Sequence, residues 1–242
     1  PRSIEQVQAG TVRVQDEGSQ LAALALSRAR LIEPGERWLD LCAGPGGKSA
    51  LLAAEARLGG ATLICNEPVP VRAELVRNAL AAVSEPPTVW EEDGTVVGDE
   101  HPGEFDRILV DAPCTGLGAL RRRPEARWRK SPQDVPELIA LQSRLVDSAI
   151  RALRPGGILA YVTCSPHLAE TRGQIADALK RWNGIIEPLE TQAVLRSFAS
   201  TNLVLGTDPT QAQLWPHRHG TDAMFIALLQ KNETLPIVTS AN

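Results

Sequence analysis

The stretch Val110-Asp111-Ala112-Pro113-Cys114-Thr115-Gly116 follows an apolar run that starts at Arg107, and Tyr161-Val162-Thr163-Cys164-Ser165 closes another that starts at Ile158. Both runs have the length of a strand, and both deliver a cysteine where the chain turns away. Neighbouring strands of an open parallel sheet end on the same edge, and ligands bind along that edge. Two thiols on one edge, beside the glycine-rich turn between Cys42 and Lys48, point to covalent chemistry next to a nucleotide-like cofactor.

Outward from these two runs the chain keeps alternating. Arg37 to Cys42, Ala61 to Cys65 and Thr88 to Trp90 predict three strands, Arg107 to Asp111 a fourth and Ile158 to Thr163 a fifth. Helical stretches lie around them: Asp16 to Arg30, with Asp16 or Ser19 as its cap, Lys48 to Arg57, Val69 to Val83, Pro136 to Leu153 and Ala169 to Trp182. Alternation from residue 37 to 183 predicts an α/β fold with a mostly parallel sheet and helices on both faces. Residues 1 to 15 read as an irregular lead-in. The tail reads as Ile185-Ile186-Glu187, a loop-rich region, Leu214-Trp215 and a strand from Met224 to Leu229.

One domain is the simplest count for 242 residues, with residues 1–36 a lead-in and helix packed on a catalytic domain of residues 37–242. The first residue is Pro and no signal peptide follows it, so the chain is expected to be a fragment lacking an N-terminal portion. No apolar run reaches the roughly 18 residues of a membrane span. Cys42, Cys65, Cys114 and Cys164 form no C-x-x-C pair, which argues against a disulfide framework and a zinc site. His217 and His219 read as a lone H-x-H in a loop. A cytoplasmic protein with no metal, no membrane contact and a monomeric state is expected.

Net charge is −4, the wrong sign for a simple nucleic-acid binder, but its distribution is uneven. Arg121-Arg122-Arg123-Pro124-Glu125-Ala126-Arg127-Trp128-Arg129-Lys130 places six cations and a tryptophan in ten residues. Its place directly after the Cys114 motif predicts a phosphate-contacting flap. Solvated surface is the plainer reading.

The turn Asp40-Leu41-Cys42-Ala43-Gly44-Pro45-Gly46-Gly47-Lys48-Ser49 misses a P-loop because Cys42 stands where glycine is needed, and misses the dinucleotide fingerprint at Ser49. What remains is backbone N–H groups able to approach a ligand at the start of the next helix. Glu67, Asp93 and Asp111 each follow a strand, an arrangement that suits an adenosine-type cofactor. Cys42 and Cys65 read as buried and inert. Cys114 and Cys164 sit at strand exits, with Lys48 expected nearby on the same edge to favour a thiolate.

These residues resemble the Nol/Nop/Sun RNA (cytosine-5)-methyltransferases, particularly the bacterial Sun (Fmu) type that acts on small-subunit ribosomal RNA. The resemblance spans Val14 to about Leu229. It is carried by Val14 to Ser19, Asp40 to Ser49, Asp111 to Arg129 and Thr163-Cys164-Ser165. It implies a Rossmann-like class I methyltransferase with a seven-stranded sheet whose last strand is antiparallel. It also implies S-adenosylmethionine on the turn Cys42, Ala43, Gly44, Pro45, Gly46, Gly47 and Lys48, with Glu67, Arg72, Asp93 and Asp111 around it. By the same resemblance Cys164 attacks the base, Asp111 holds its ring nitrogen, Cys114 assists release, Lys48 adds electrostatic support, and RNA is the partner. Two departures stand out: Leu168-Ala169-Glu170-Thr171 replaces the family's Pro-Glu-Glu-Asn, and Asp222-Ala223-Met224-Phe225 replaces Asp-Gly-Phe-Phe. Three rivals use the same residues: attack by Cys114 as in DNA cytosine methyltransferases, a non-catalytic RNA-binding scaffold, and a nicotinamide dehydrogenase.

Overall fold

Along the central strands, side chains alternate between two apolar layers, as the two-residue period of a pleated strand requires. Trp38, Leu109, Ala160 and Val162 face one core, whereas Leu39, Ile108, Val110 and Tyr161 face the other. Burial on both faces suits a sheet covered by helices on each side. The computed structural model describes residues 4–9, 12–129 and 131–233, so Lys130 of the basic stretch lies outside the described residues.

The strands are β1 (Arg37–Asp40), β2 (Thr62–Asn66), β3 (Thr88–Trp90), β4 (Phe105–Asp111), β5 (Leu153–Thr163), β6 (Ile186–Pro188), β7 (Gln211–Gln213) and β8 (Phe225–Lys231). They form one sheet in the order β3-β2-β1-β4-β5-β8-β6, with β7 paired to β8 off this path. The first five strands are parallel, and β8 inserts antiparallel beside β5. Six helices of eight residues or more are described: α1 (Glu17–Ser27), α2 (Gly47–Leu58), α3 (Pro70–Leu80), α4 (Val135–Ala152), α5 (Arg172–Arg181) and α6 (Thr191–Phe198). This is the α/β architecture the alternation predicts, in the Rossmann-like form the resemblance implies. None of these helices is long and apolar enough to cross a membrane.

Several details differ from the expectation. The seven expected strands gain β7, a three-residue strand on β8. The stretch expected as the start of a helix at Ala169 is a 3-10 turn, Leu168–Glu170, and α5 begins only at Arg172. Helix α6 fills part of the expected loop region. It is short, and its burial of Leu195 depends on partners far away in sequence. His217 and His219 lie in a helical turn, Pro216–His219, closed by the Trp215 N–H donating to His219 Nδ1 at 2.9 Å. The lead-in holds a four-residue helix at Glu5–Gln8.

Arg107, in the middle of β4, is fully buried. Its guanidinium donates to Glu36 at 2.8 and 3.2 Å and to the carbonyls of Leu26, Ser27 and Leu31 at 3.0, 2.7 and 2.9 Å. It also stacks over Trp38, 4.9 Å from the ring centroid. The last carbonyls of a helix lack intrahelical partners and carry partial negative charge, so one planar cation satisfies the end of α1 and neutralises Glu36 together. Replacing Arg107 with Leu leaves the buried Glu36 carboxylate to Arg30 and the Trp38 indole and strands those carbonyls. The expected loss is about 3–5 kcal/mol of unfolding free energy, read from urea titration. A loss under about 1 kcal/mol, as for an ordinary exposed pair, would show that the cation does not hold the helix.

Candidate active site

The carboxyl ends of β1, β4 and β5 open onto a cleft of about 270 Å³. Its floor is the turn after β1. Gly44 and Gly46 take left-handed backbone conformations, φ +56° and +80°, and a Cβ on Gly46 would fall 2.6 Å from Ala79 Cβ on α3. Only glycine meets both constraints there. Glu67, at the end of β2, is buried and grips the turn, its Oε2 accepting from the Gly44 N–H at 3.1 Å.

Lys48, on the first turn of α2, points back into the cleft. Its ammonium donates to Asp111 Oδ2 at 2.7 Å and to Ser19 Oγ of α1 at 3.3 Å. Burial lowers the affinity of this amine for its proton, but Asp111 more than reverses that, so the group is held charged. Asp40 lies under the same cleft, fully buried. Its Oδ2 accepts from Ser49 Oγ at 2.7 Å, whereas Oδ1 has no partner among the described residues. Burial, opposed by the Ser49 bond and assisted by the Asp111 charge, pushes its pKa up to about 7.

Cys114 and Cys164 meet across the strand ends with their sulfurs 3.5 Å apart. Both are half-buried. The hydrogen bond between them and burial hold the Cys114 thiol well above its usual range. Cys164 is held below its own by the Cys114 bond, with burial and Asp111 opposing and Lys48 assisting. The negative charge of the pair therefore belongs on Cys164. Gly118 permits this closeness from below: its N–H donates to the Cys164 carbonyl at 2.9 Å, and a Cβ there would lie 2.1 Å from the Ala223 carbonyl oxygen.

The sequence profile of the family described as "16S rRNA methyltransferase RsmB/F" matches residues 29–230. The chain belongs to this family. It is 52% identical to a Mycobacterium tuberculosis protein provisionally named a methyltransferase, over 96% of this chain and 48% of that one. It is 34% identical to the ribosomal RNA small subunit methyltransferase B of Vibrio cholerae, over 92% of this chain and 46% of the relative. The chain thus spans about half the length of the curated relatives it matches. Among solved structures, PH0851 superposes with a TM-score of 0.83 at 28% identity, covering 95% of this chain and 49% of that one. NSun6 from Pyrococcus horikoshii shares the fold, with a TM-score of 0.78 at 23% identity over 96% of this chain and 56% of that one.

Within this RsmB/F domain the expected site residues divide. Cys42, Ala43, Pro45, Gly47, Lys48, Asp111 and Cys164 line the cleft, and Cys114 touches it through Cys164. Cys42, expected to be buried and inert, is half-buried on the cleft wall, where burial and then the charges of Asp40, Asp111 and Glu67 keep it a thiol. Cys65 is fully buried. Arg72 is exposed on α3 and does not line the cleft. Asp93 also stands apart, its Oδ1 accepting from the N–H and hydroxyl of Thr95 at 2.9 and 2.8 Å. The basic stretch splits as well. Arg121 donates to Asp16 at 2.8 Å and Arg122 to Asp222 at 2.9 and 3.1 Å, so both are tied to buried acids of the cleft rim. Asp40, Asp16, Asp222 and Glu170 were not expected among the site residues. Asp40 stands in the quoted turn, Asp16 in the stretch Val14 to Ser19, and Glu170 and Asp222 in the two segments compared with the family's patterns, so each had a local signal that was not read as a site role.

The raised pKa of Asp40 fixes a sign. Its folded value, about 7, exceeds the ordinary 3.8, so the proton it holds favours folding below the ordinary value, and that contribution is lost as pH rises through about 7. Asp40→Asn keeps an acceptor for Ser49 without the ionisation. Its unfolding free energy should exceed that of the unmodified chain by more at pH 8 than at pH 4, measured by urea titration. A gap that does not change with pH would show that Asp40 does not titrate in this window.

Proposed function

We propose that this chain is the catalytic part of an S-adenosylmethionine-dependent RNA (cytosine-5)-methyltransferase acting on small-subunit ribosomal RNA through a covalent cysteine–base adduct. The observation that carries the reading is the thiol pair, 3.5 Å apart, with Cys164 and the Lys48–Asp111 pair lining the same cleft. The family supports the RNA substrate. The glycine turn fits the cofactor because it admits backbone approach, and the buried Asp40 Oδ1 offers an acceptor to an ammonium. Glu67, buried and already accepting from the Gly44 and Val69 N–H groups, is the carboxylate proposed for ribose hydroxyls. When bound there, S-adenosylmethionine supplies an electrophilic methyl group.

Carbon 5 of cytosine is too electron-poor to accept that methyl group directly. The Cys164 thiolate adds to carbon 6, the ring's 5,6 double bond opens, and carbon 5 becomes nucleophilic. Neutral cytosine carries no proton on ring nitrogen 3, so that nitrogen takes one up from water as charge builds there. The Asp111 carboxylate, held by Lys48, accepts a hydrogen bond from the N–H so formed. After methylation a water molecule takes the carbon-5 proton, and its bonding pair re-forms the 5,6 double bond. The carbon–sulfur bond breaks with its pair going to sulfur, and the ring nitrogen returns its proton to water. Cys114, within reach of the departing sulfur, donates to it as it regains charge. The target base must leave any stack to enter a cleft this deep.

Removing the attacker abolishes the adduct, whereas removing the releaser lets it accumulate. Cys164→Ala should give no covalent complex with substrate RNA and S-adenosylmethionine. Cys114→Ala should give one that survives denaturing electrophoresis. The opposite pattern assigns the attack to Cys114.

Arg123 and Arg127 are exposed and, among the described ion pairs, are not matched to an acid. They are the phosphate contacts proposed for the basic stretch. Changing both to Ala should reduce the salt dependence of RNA binding by about 0.7–0.9 logarithmic unit for each phosphate no longer neutralised. An unchanged slope in filter binding across salt concentrations returns this stretch to solvated surface.

A further inference from the structure

Glu170 sits beneath the thiol pair with its side chain in no contact with solvent. It stands third in Leu168-Ala169-Glu170-Thr171, at a position where the family's Pro-Glu-Glu-Asn also has Glu. Burying a carboxyl group is costly unless its acceptor sites are filled by donors. Here Oε1 accepts from the Thr115 N–H at 2.8 Å and from Gln142 Nε2 at 3.2 Å. Oε2 accepts from the hydroxyls of Thr115 and Ser165, both at 2.6 Å. Four donors match the roughly four lone-pair sites of a carboxylate.

The identity of those donors matters more than their number. Thr115 directly follows Cys114, and Ser165 directly follows Cys164. Gln142 also donates to the Pro113 carbonyl at 2.9 Å, on the other side of Cys114. The backbone of Glu170 is fixed in turn, because the Tyr161 hydroxyl donates to its carbonyl at 2.8 Å. One buried side chain thus joins the two cysteine loops to each other and to α4.

We propose that Glu170 is a positioning residue that clamps the Cys114 loop to the Cys164 loop and so sets the spacing of the two thiols. The assignment rests on the reading of Cys164 as attacker and Cys114 as its partner. With the loops clamped, the Cys114 thiol stays in donating distance of Cys164 and keeps negative charge on that sulfur. The Glu170 charge itself adds to the effects that hold Cys114 protonated, after the Cys164 bond and burial. With the loops released, the thiols separate and each titrates as an ordinary cysteine.

The test uses the folded protein alone, without RNA or cofactor. Iodoacetamide alkylates thiolates, and peptide mass spectrometry gives the separate rates at Cys114 and Cys164. In the unmodified chain Cys164 should react first by a wide margin. In Glu170→Gln the ratio of the two rates should fall by about tenfold, the scale of a missing charge-assisted hydrogen bond. If Glu170→Gln does not fold, Ser165→Ala decides, since it removes one link to the clamp and leaves the carboxyl group with three donors. A merely structural role would lower the thermal midpoint of either variant and leave the ratio unchanged. A folded Glu170→Gln or Ser165→Ala with the unmodified ratio overturns the proposal. If the ratio falls as expected while the unmodified protein forms no adduct with RNA, the clamp stands and the proposed reaction fails.

Discussion

A single buried cation holds the frame on which everything else is hung. Arg107 ties the carboxyl end of α1 to the middle of the sheet through three carbonyls of its last turn and the loop beyond, and through Glu36. The amino end of the same helix carries Asp16 and Ser19 to the cleft, where Ser19 meets Lys48 and Asp16 meets Arg121. A helix anchored at one end only could swing away from the strand ends. With Arg107 in place, the cleft wall inherits the rigidity of β4.

Charge is distributed in the cleft so that few arrangements are stable. Lys48 is shared among Asp111, Asp40 and Cys164, and all of these favour its protonated form. One ammonium does not balance every acidic group packed around it. The cleft resolves the excess by holding a proton on Asp40 to about pH 7 and another on Cys114. Cys164 is shifted the other way, below its usual range, first by the hydrogen bond from its neighbour. The difference between the two thiols is thus set by the whole set of neighbours rather than by one partner.

How much of this could be read from the chain follows from how local each feature is. Strand ends, helix stops and the glycine turn are written in runs of ten residues or fewer, so the sheet, the cysteines, Lys48 and Asp111 were legible. Asp16 was legible as a cap, and it is one, accepting from the Gly18 N–H at 3.0 Å. Its second job, receiving Arg121 and the Asp222 N–H, depends on residues 105 and 206 positions away. Glu170 went unread as a site residue for a related reason. A lone acid near a helix start looks like an ordinary solvated or capping residue, and only the folded chain shows the two hydroxyls on either side of it. The basic stretch misled in part because Arg121 and Arg122 carry no mark that separates them from Arg123 and Arg127.

The contact between the Asp222 N–H and the Asp16 carboxylate, 3.2 Å to each oxygen, closes nearly the whole length of the chain into one loop. Closing long loops comes late because the entropy is spent before the contact repays it. During synthesis the parallel strands β1 to β5 can pair as they emerge, but the cleft has no complete rim until Met224 has been made. A nascent chain therefore carries both thiols, finished in sequence and near each other, for some 60 residues of elongation (Cys164 to Met224) before the wall that confines them exists. Asp222 and Met224, which lead into β8, are what turn a sheet with two cysteines into a pocket.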